Sequence, residues 1–131
     1  MTFLDSSVII DYLDNVEHVV EFVDDQPTLL TSSICVYEVL IGEVFSSGST
    51  DINGTREDFG RVASLEFNES IALEAVQLQQ ELQRSGDTMP ARDLFVAATA
   101  RSTGDELVVA DADFQTMPLE DLMTVTNLWD S

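Results

Sequence analysis

Lysine is absent from this chain of 131 residues, and its only basic side chains are five arginines and one histidine, His18. Cysteine is nearly absent: with Cys35 alone there is no intrachain disulfide, and a cysteine-based zinc site is excluded. The single histidine sits in "NVEHVVEF" among helix-forming residues, where a partly exposed side chain is expected. Nothing around it recommends a nucleophile scheme built on Ser-His or Cys-His. No apolar run reaches membrane-spanning length, and "MTFLDSSVII" has no basic segment before its apolar stretch, so a soluble cytoplasmic protein with no membrane partner is expected. Any chemistry must therefore run on carboxylates.

Carboxylates are abundant, 25 aspartates and glutamates giving a formal net charge of −20. In dilute salt such self-repulsion destabilises a compact state and repels nucleic acid, but at about 1 M salt the Debye length falls to roughly 3 Å. Adaptation to molar intracellular salt, as in haloarchaea, accounts for both the acid excess and the missing lysine. An acidic balance then no longer argues against an RNA substrate.

With 44% hydrophobic residues the chain is globular, and its length suits one domain, residues 1–131. Short apolar runs alternate with helical stretches. "TFLD" reads as a first strand followed by a helix capped by Ser6 or Ser7, and a second helix is expected over about Val16 to Asp24. "TLLTS" is a second strand and "SSICVYEVLIGEVF" a third helix capped by Ser32 or Ser33, with a loop over Phe45 to Thr55. "VASLEF" is a third strand. Ile71, Ala75, Leu78 and Leu82 then recur at helical spacing until Gly86. A further helix starts near Pro90 and stops at Gly104, "ELVVA" is a fourth strand, and "LMTVTNL" adds a fifth. Strands alternating with helices predict an α/β domain with a parallel sheet of four or five strands covered on both faces.

In such a sheet ligands bind in the crevice at the strand carboxyl ends. Asp5 ends the first strand and Asp111 the fourth, Asp93 lies in the first turn of the helix near Pro90, and Glu38 a turn or two into its helix. Two have a plainer reading: Asp5 as a helix cap, Asp93 as a partner of the helix dipole. Glu38 resists one, because "ICVYEVLIG" is apolar around it and a buried carboxylate needs a cation. Of the five arginines only Arg92 is adjacent in sequence to these positions. Carboxylates gathered at one edge raise each other's pKa, and hard oxygen ligands without Cys or His suit Mg²⁺ or Mn²⁺. The chemistry implied is metal-assisted phosphodiester hydrolysis with metal-activated water. Two other phosphate chemistries lack their residues: a receiver domain needs a lysine, and a haloacid-dehalogenase-like phosphatase needs Asp-x-Asp where Ser6 and Ser7 follow Asp5. A Walker-type glycine loop is missing as well.

"LDSSVIIDYL" with Asp5, "SSICVYEVLIGE" with Glu38, "ARDLFVAATA" with Asp93 and "LVVADADF" with Asp111 resemble, in order and spacing, the PIN-domain ribonucleases, specifically VapC-type toxins of toxin-antitoxin modules. The resemblance spans about Thr2 to Leu128 and is weakest between Ser46 and Arg61. It implies a PIN-like three-layer α/β/α sandwich and an acidic quartet of Asp5, Glu38, Asp93 and Asp111 around Mg²⁺. Asp5 and Asp93 would ligate directly, Glu38 would hold or orient a metal water, and Asp111 would complete the site. It further implies RNA hydrolysis, a homodimer, and silencing by an antitoxin that wraps the toxin, for which the apolar surplus at Val19 to Val23 offers a surface beside plain core packing. The alternatives within the resemblance are an RNA-processing nuclease outside any toxin-antitoxin pair and a catalytically silent PIN-like binding module. Two positions depart from the pattern. Cys35 stands where a hydroxyl is common, leaving Ser32 or Ser7 to supply one, and Asp113 competes with Asp111 for the fourth acidic role. Arg92 is an accessory candidate, for substrate phosphate or for plain surface solvation.

Overall fold

The apolar runs form strands because both of their faces are covered. Phe3, Leu30, Leu107 and Val109 point into one buried cluster, and Leu4, Leu29, Val108 and Ala110 into a second on the opposite face. In the computed structural model, which describes residues 1–46, 48 and 50–129, these runs are β1 (Thr2–Leu4), β2 (Leu29–Ser32) and β4 (Glu106–Val109). They are joined by β3 (Val62–Leu65) and β5 (Val125–Asn127). All pairings are parallel, in the order β3-β2-β1-β4-β5, with Phe3 beside Leu30 on one side and Leu107 on the other.

Helices form the outer layers. α1 (Ser6–Leu13) and α2 (Glu17–Asp24) cover one face through Val8, Ile9, Val19 and Val23. α5 (Glu69–Arg84) and α6 (Ala91–Ser102) cover the other, and the Ile71, Ala75, Leu78 and Leu82 stripe predicted for α5 is wholly buried. α3 (Ser33–Phe45) gives Cys35 to one cluster and Val39 to the other, so it closes the sheet near the carboxyl end of β2. The result is a three-layer α/β/α sandwich around a five-stranded parallel sheet, as expected. Gly86 and Gly104 stand at φ +83° and +72° just past α5 and α6, a left-handed conformation that stops each helix at little cost to glycine.

Two sequence expectations need correction, and one left open is decided. The Phe45 to Thr55 stretch is not all loop: α4 (Ile52–Asp58) forms there, capped by the Asp51 carboxylate, which accepts from the Gly54 N–H at 3.0 Å. Its Asn and Gly composition concealed it, and Ser47 and Ser49 of that loop lie outside the described residues. The cap of α1 is Asp5 rather than Ser6 or Ser7, its carboxylate accepting from the Ser7 N–H. Val19 and Val23 are packed inside, with Phe22 laid against the same cluster, so the apolar surplus of α2 goes largely to the core. His18 is exposed, its Nε2 lying 2.9 Å from the Leu128 carbonyl.

Chain direction sets the crevice. From β1 the chain moves through α1 and α2 to β2 on one side, and it returns through α5 and α6 to β4 on the other. The carboxyl ends of β1 and β4 therefore flank the point where the winding reverses, the place where open parallel sheets bind ligands.

Candidate active site

Asp5 leaves the end of β1 and is 1% exposed. One carboxylate oxygen, Oδ2, accepts from the Ser7 N–H at 3.1 Å and from the Ser7 hydroxyl at 2.6 Å. That hydroxyl also accepts from the Ala110 N–H at 2.9 Å, so one side chain ties the ends of β1 and β4 together. The other oxygen, Oδ1, is buried and makes no directed hydrogen bond, although Arg92 Nη2 lies 2.8 Å away. Proximity to a guanidinium with poor hydrogen-bond direction is a charge contact only.

Glu38 projects from the second turn of α3, and the cation its setting demanded is Arg92. Arg92 Nε donates to Glu38 Oε2 at 2.8 Å, and Nη2 donates to the other carboxylate oxygen and to the Ser6 hydroxyl. Ser6 in turn donates to Glu38 Oε1 at 3.0 Å. Arg92 Nη1 lies 3.1 Å from Asp93 Oδ1, in the first turn of α6. One planar guanidinium thus joins three carboxylates carried by β1, α3 and α6. Arginine suits this because its five N–H groups form a rigid fork. Surface solvation is not its role.

The electrostatics follow from burial and from this one cation. Burial pushes the Glu38 carboxyl up, but its hydrogen bonds and charge interaction with Arg92, helped by the Ser6 hydroxyl, outweigh that and hold it below the ordinary glutamate value. Burial also pushes Asp93 up, and there it prevails over Arg92 because the charges of Asp5 and Asp111 add to it. The Cys35 thiol, fully buried beneath, is pushed up to about 12 by burial first and by Asp5 second, so it stays protonated and inert.

At the end of β4 Asp111 also shapes the turn, and Asp113 gives that turn only its backbone N–H. Asp111 Oδ1 accepts from that N–H at 2.9 Å, and the Asp113 side chain is exposed. Asn127 of β5 donates its amide to the Asp111 carbonyl at 3.1 Å and holds that corner. Of the serines proposed to replace a hydroxyl at Cys35, Ser7 binds Asp5, whereas Ser32 is occupied in capping α3. Ser6 and Asn127 were not singled out from sequence as site residues. Ser6 lies inside a quoted motif as a possible cap, and Asn127 depends on the register of β5, which carries no local signal.

The donors are carboxylate and hydroxyl oxygens, and three acids face a single arginine, a balance that suits a hard divalent cation. Asp5 Oδ1, which has the Arg92 charge beside it but no directed hydrogen bond, is the oxygen such a cation would fit. Among the described residues no three acidic, histidine or cysteine side chains already stand in metal-binding geometry, since they are arrayed around the guanidinium instead. Beside Glu38 a groove of about 430 Å³ runs between α1, α3 and α4, lined by Ile10, Leu13 and Val39 and by the acids Asp14, Glu43 and Asp58.

A parallel sheet with acids from separate elements meeting at its carboxyl edge defines a class of α/β domains with an acidic, oxygen-lined site. A profile of the PIN domain matches residues 2–119, and the chain belongs to that family. Its fold is similar to that of a toxin-antitoxin complex from Klebsiella pneumoniae, with a TM-score of 0.79 at 19% identity over all of both chains. FitAcB from Neisseria gonorrhoeae matches with a TM-score of 0.77 at 24% identity, again over the whole of both chains. VapC20 of Mycobacterium tuberculosis, described as a sarcin-ricin loop cleaving toxin, matches with a TM-score of 0.61 at 16% identity, over 87% of this chain and 92% of that one. At these identities the likeness is one of fold. No curated protein sequence matches the chain significantly.

Proposed function

We propose that the protein is a Mg²⁺-dependent endoribonuclease, Mn²⁺ being an alternative ion, that works as the toxin of a toxin-antitoxin pair from a single PIN domain over residues 1–131. The observation carrying this reading is the meeting of Asp5, Glu38 and Asp93 at the carboxyl edge of the sheet, where Asp111 follows the end of β4. Family membership and a fold shared with toxin-antitoxin proteins support it.

When bound, a divalent cation supplies Lewis acidity toward water and the scissile phosphate. The chain's own part is to place oxygens. Asp5, fixed by Ser7, and Asp93 would hold the cation, and Glu38 and Asp111 would orient the attacking water and accept its hydrogen bonds. The groove beside Glu38, where Ile10, Leu13 and Val39 lie among the acids Asp14, Glu43 and Asp58, would take a segment of an antitoxin that is both apolar and basic, and a homodimer belongs to the same reading. A cytoplasm of molar salt is the setting that suits a net charge of −20.

The test is cleavage of total RNA by purified protein in molar KCl with Mg²⁺, repeated with EDTA and with Asp5→Asn and Asp93→Asn. Cleavage is expected only for the wild type with the metal, and activity surviving either substitution or the chelator refutes the mechanism. A catalytically silent PIN-like module is the second reading, favoured by the engagement of Asp5, Glu38 and Asp93 with Arg92. It requires that the wild type neither cut RNA nor bind a divalent cation.

A further inference from the structure

Arg92 is placed where the cation belongs. Its guanidinium engages Asp5, Glu38, Asp93 and the Ser6 hydroxyl at once. Any ion drawn to these oxygens meets a side chain already holding them. We propose that Arg92 is a built-in counter-ion of the metal-free site, and that a divalent cation enters only as Arg92 swings out of the cluster. This rests on the metal-dependent reading above and concerns what regulates that site.

Three observations carry it. Arginine's fork spreads its acceptors around a plane at hydrogen-bond distances, whereas Mg²⁺ draws ligands in an octahedron at about 2.0–2.1 Å. The same oxygens cannot serve both, in keeping with the want of a ready metal geometry among the described residues. Second, the grip is weakest at the most buried acid: Asp5 Oδ1 has the charge nearby but no directed hydrogen bond, so a better-fitting cation gains there. Third, Arg92 can leave. It lies in the first turn of α6 with its side chain 33% exposed, and its long stem can turn toward solvent about side-chain torsions alone, releasing its bond to Asp93. Of the five arginines, Arg56, Arg61 and Arg101 are engaged in contacts elsewhere in the fold. By reciprocity, whatever favours Arg92 in the cluster weakens metal binding by the same factor, so occupancy by arginine sets the cation concentration at which the site loads.

The experiment is Mn²⁺ binding to the full chain in molar KCl, followed by calorimetry and by the electron-spin resonance of free Mn²⁺, for wild type, Asp5→Asn, Arg92→Gln and Arg92→Lys. Arg92→Gln is expected to bind Mn²⁺ about tenfold more tightly or better, with Arg92→Lys between it and wild type, because lysine keeps the charge but cannot bridge three carboxylates. Unchanged or weaker binding by Arg92→Gln overturns the proposal while leaving the metal site standing. Failure of the wild type to bind, or binding that survives Asp5→Asn, defeats the underlying reading instead. Should Arg92→Gln not fold, the wild type decides alone. The Arg92 Nε–H resonance, assigned by its loss in Arg92→Lys, is expected to shift or broaden on addition of diamagnetic Mg²⁺, and a signal unmoved at saturation refutes the swing.

Discussion

Removing one oxygen from Ser7 tests whether the two strand ends are coupled as drawn. In Ser7→Ala the Asp5 carboxylate loses its shortest hydrogen bond, 2.6 Å, and the Ala110 N–H loses its acceptor at 2.9 Å. Ala110 is only 6% exposed, so that N–H has little water to turn to. A hydrogen bond to a charged group contributes about 1.5–3 kcal/mol and an orphaned buried donor costs about 1–3 kcal/mol. Asp5 keeps its bond from the Ser7 backbone, which places the sum toward the lower half, about 2–4 kcal/mol. Unfolding a chain of this length carries an entropy of roughly 0.28 kcal/mol per kelvin, so the melting temperature should fall by about 7–15 °C.

The assay is thermal and denaturant unfolding in molar KCl without divalent metal, with Ser7→Thr as the variant that retains a hydroxyl. Under the proposed function, RNA cleavage by Ser7→Ala should fall more than its fraction folded accounts for, because Asp5 is no longer aimed. A Ser7→Ala protein within about 0.5 kcal/mol of wild type, the range of an ordinary surface change, would refute the bridge between β1 and β4.

Four further outcomes follow from the geometry. Glu38 is held below its ordinary value of 4.5, so its contribution to stability is present above that pH and is lost as pH falls through the depressed value. The stability gap between wild type and Glu38→Gln should accordingly narrow in denaturation curves taken from pH 6 down to about pH 3, and a constant gap would show that Arg92 does not hold the ionised form. Asp113→Ala should leave both unfolding and cleavage unchanged, since only its backbone N–H is used, whereas Asp111→Ala loses the turn and the activity. Cys35, with its thiol pushed up to about 12, should resist a disulfide reagent at pH 8 in the native protein and react fully once unfolded. Cleavage should rise with KCl from about 0.1 M to 1 M, as the Debye length shrinks from about 10 Å to 3 Å, rather than fall as it does for basic nucleases.

Much of this was legible because the signals were local. β1 and β4 show as apolar runs, since a strand buried on both faces has no polar alternation to confuse it. α5 shows by its stripe and its terminal glycine. The acids were readable as a set because each stands at the end of a strand or near the start of a helix, which a parallel sheet brings to one edge. What could not be read depends on contacts distant in sequence. Arg92 is 54 residues from Glu38 and 86 from Ser6, and nothing in "ARDLF" tells a clamp from a solvated side chain. Asp111 and Asp113 have the same chemistry two residues apart, and only the fold shows that it is the Asp111 carboxylate that turns back on the Asp113 N–H. α4 was hidden because its cap at Asp51 overcomes a composition that by itself favours a turn.

The scarcity of cations explains why the site takes this form. Arg56 holds the carbonyls of Phe59 and Val62 and lies over the Phe59 ring, Arg61 binds the Gln26 carbonyl, and Arg101 joins Glu74 and Glu81 across α5 and α6. Each ties segments together with more than one contact or across a long stretch of chain, work that suits a fork better than a point charge. Arg92 does the same for the acidic edge, but the number of acids there exceeds what one fork can satisfy. Asp5 Oδ1 is left without a hydrogen bond and Asp93 is pushed up despite its arginine. Had the cluster been built for stability alone, apolar replacements would serve better, because a buried charge network rarely repays its desolvation. An under-neutralised, half-open cluster at a sheet edge makes physical sense as a place that waits for more positive charge than the chain itself provides.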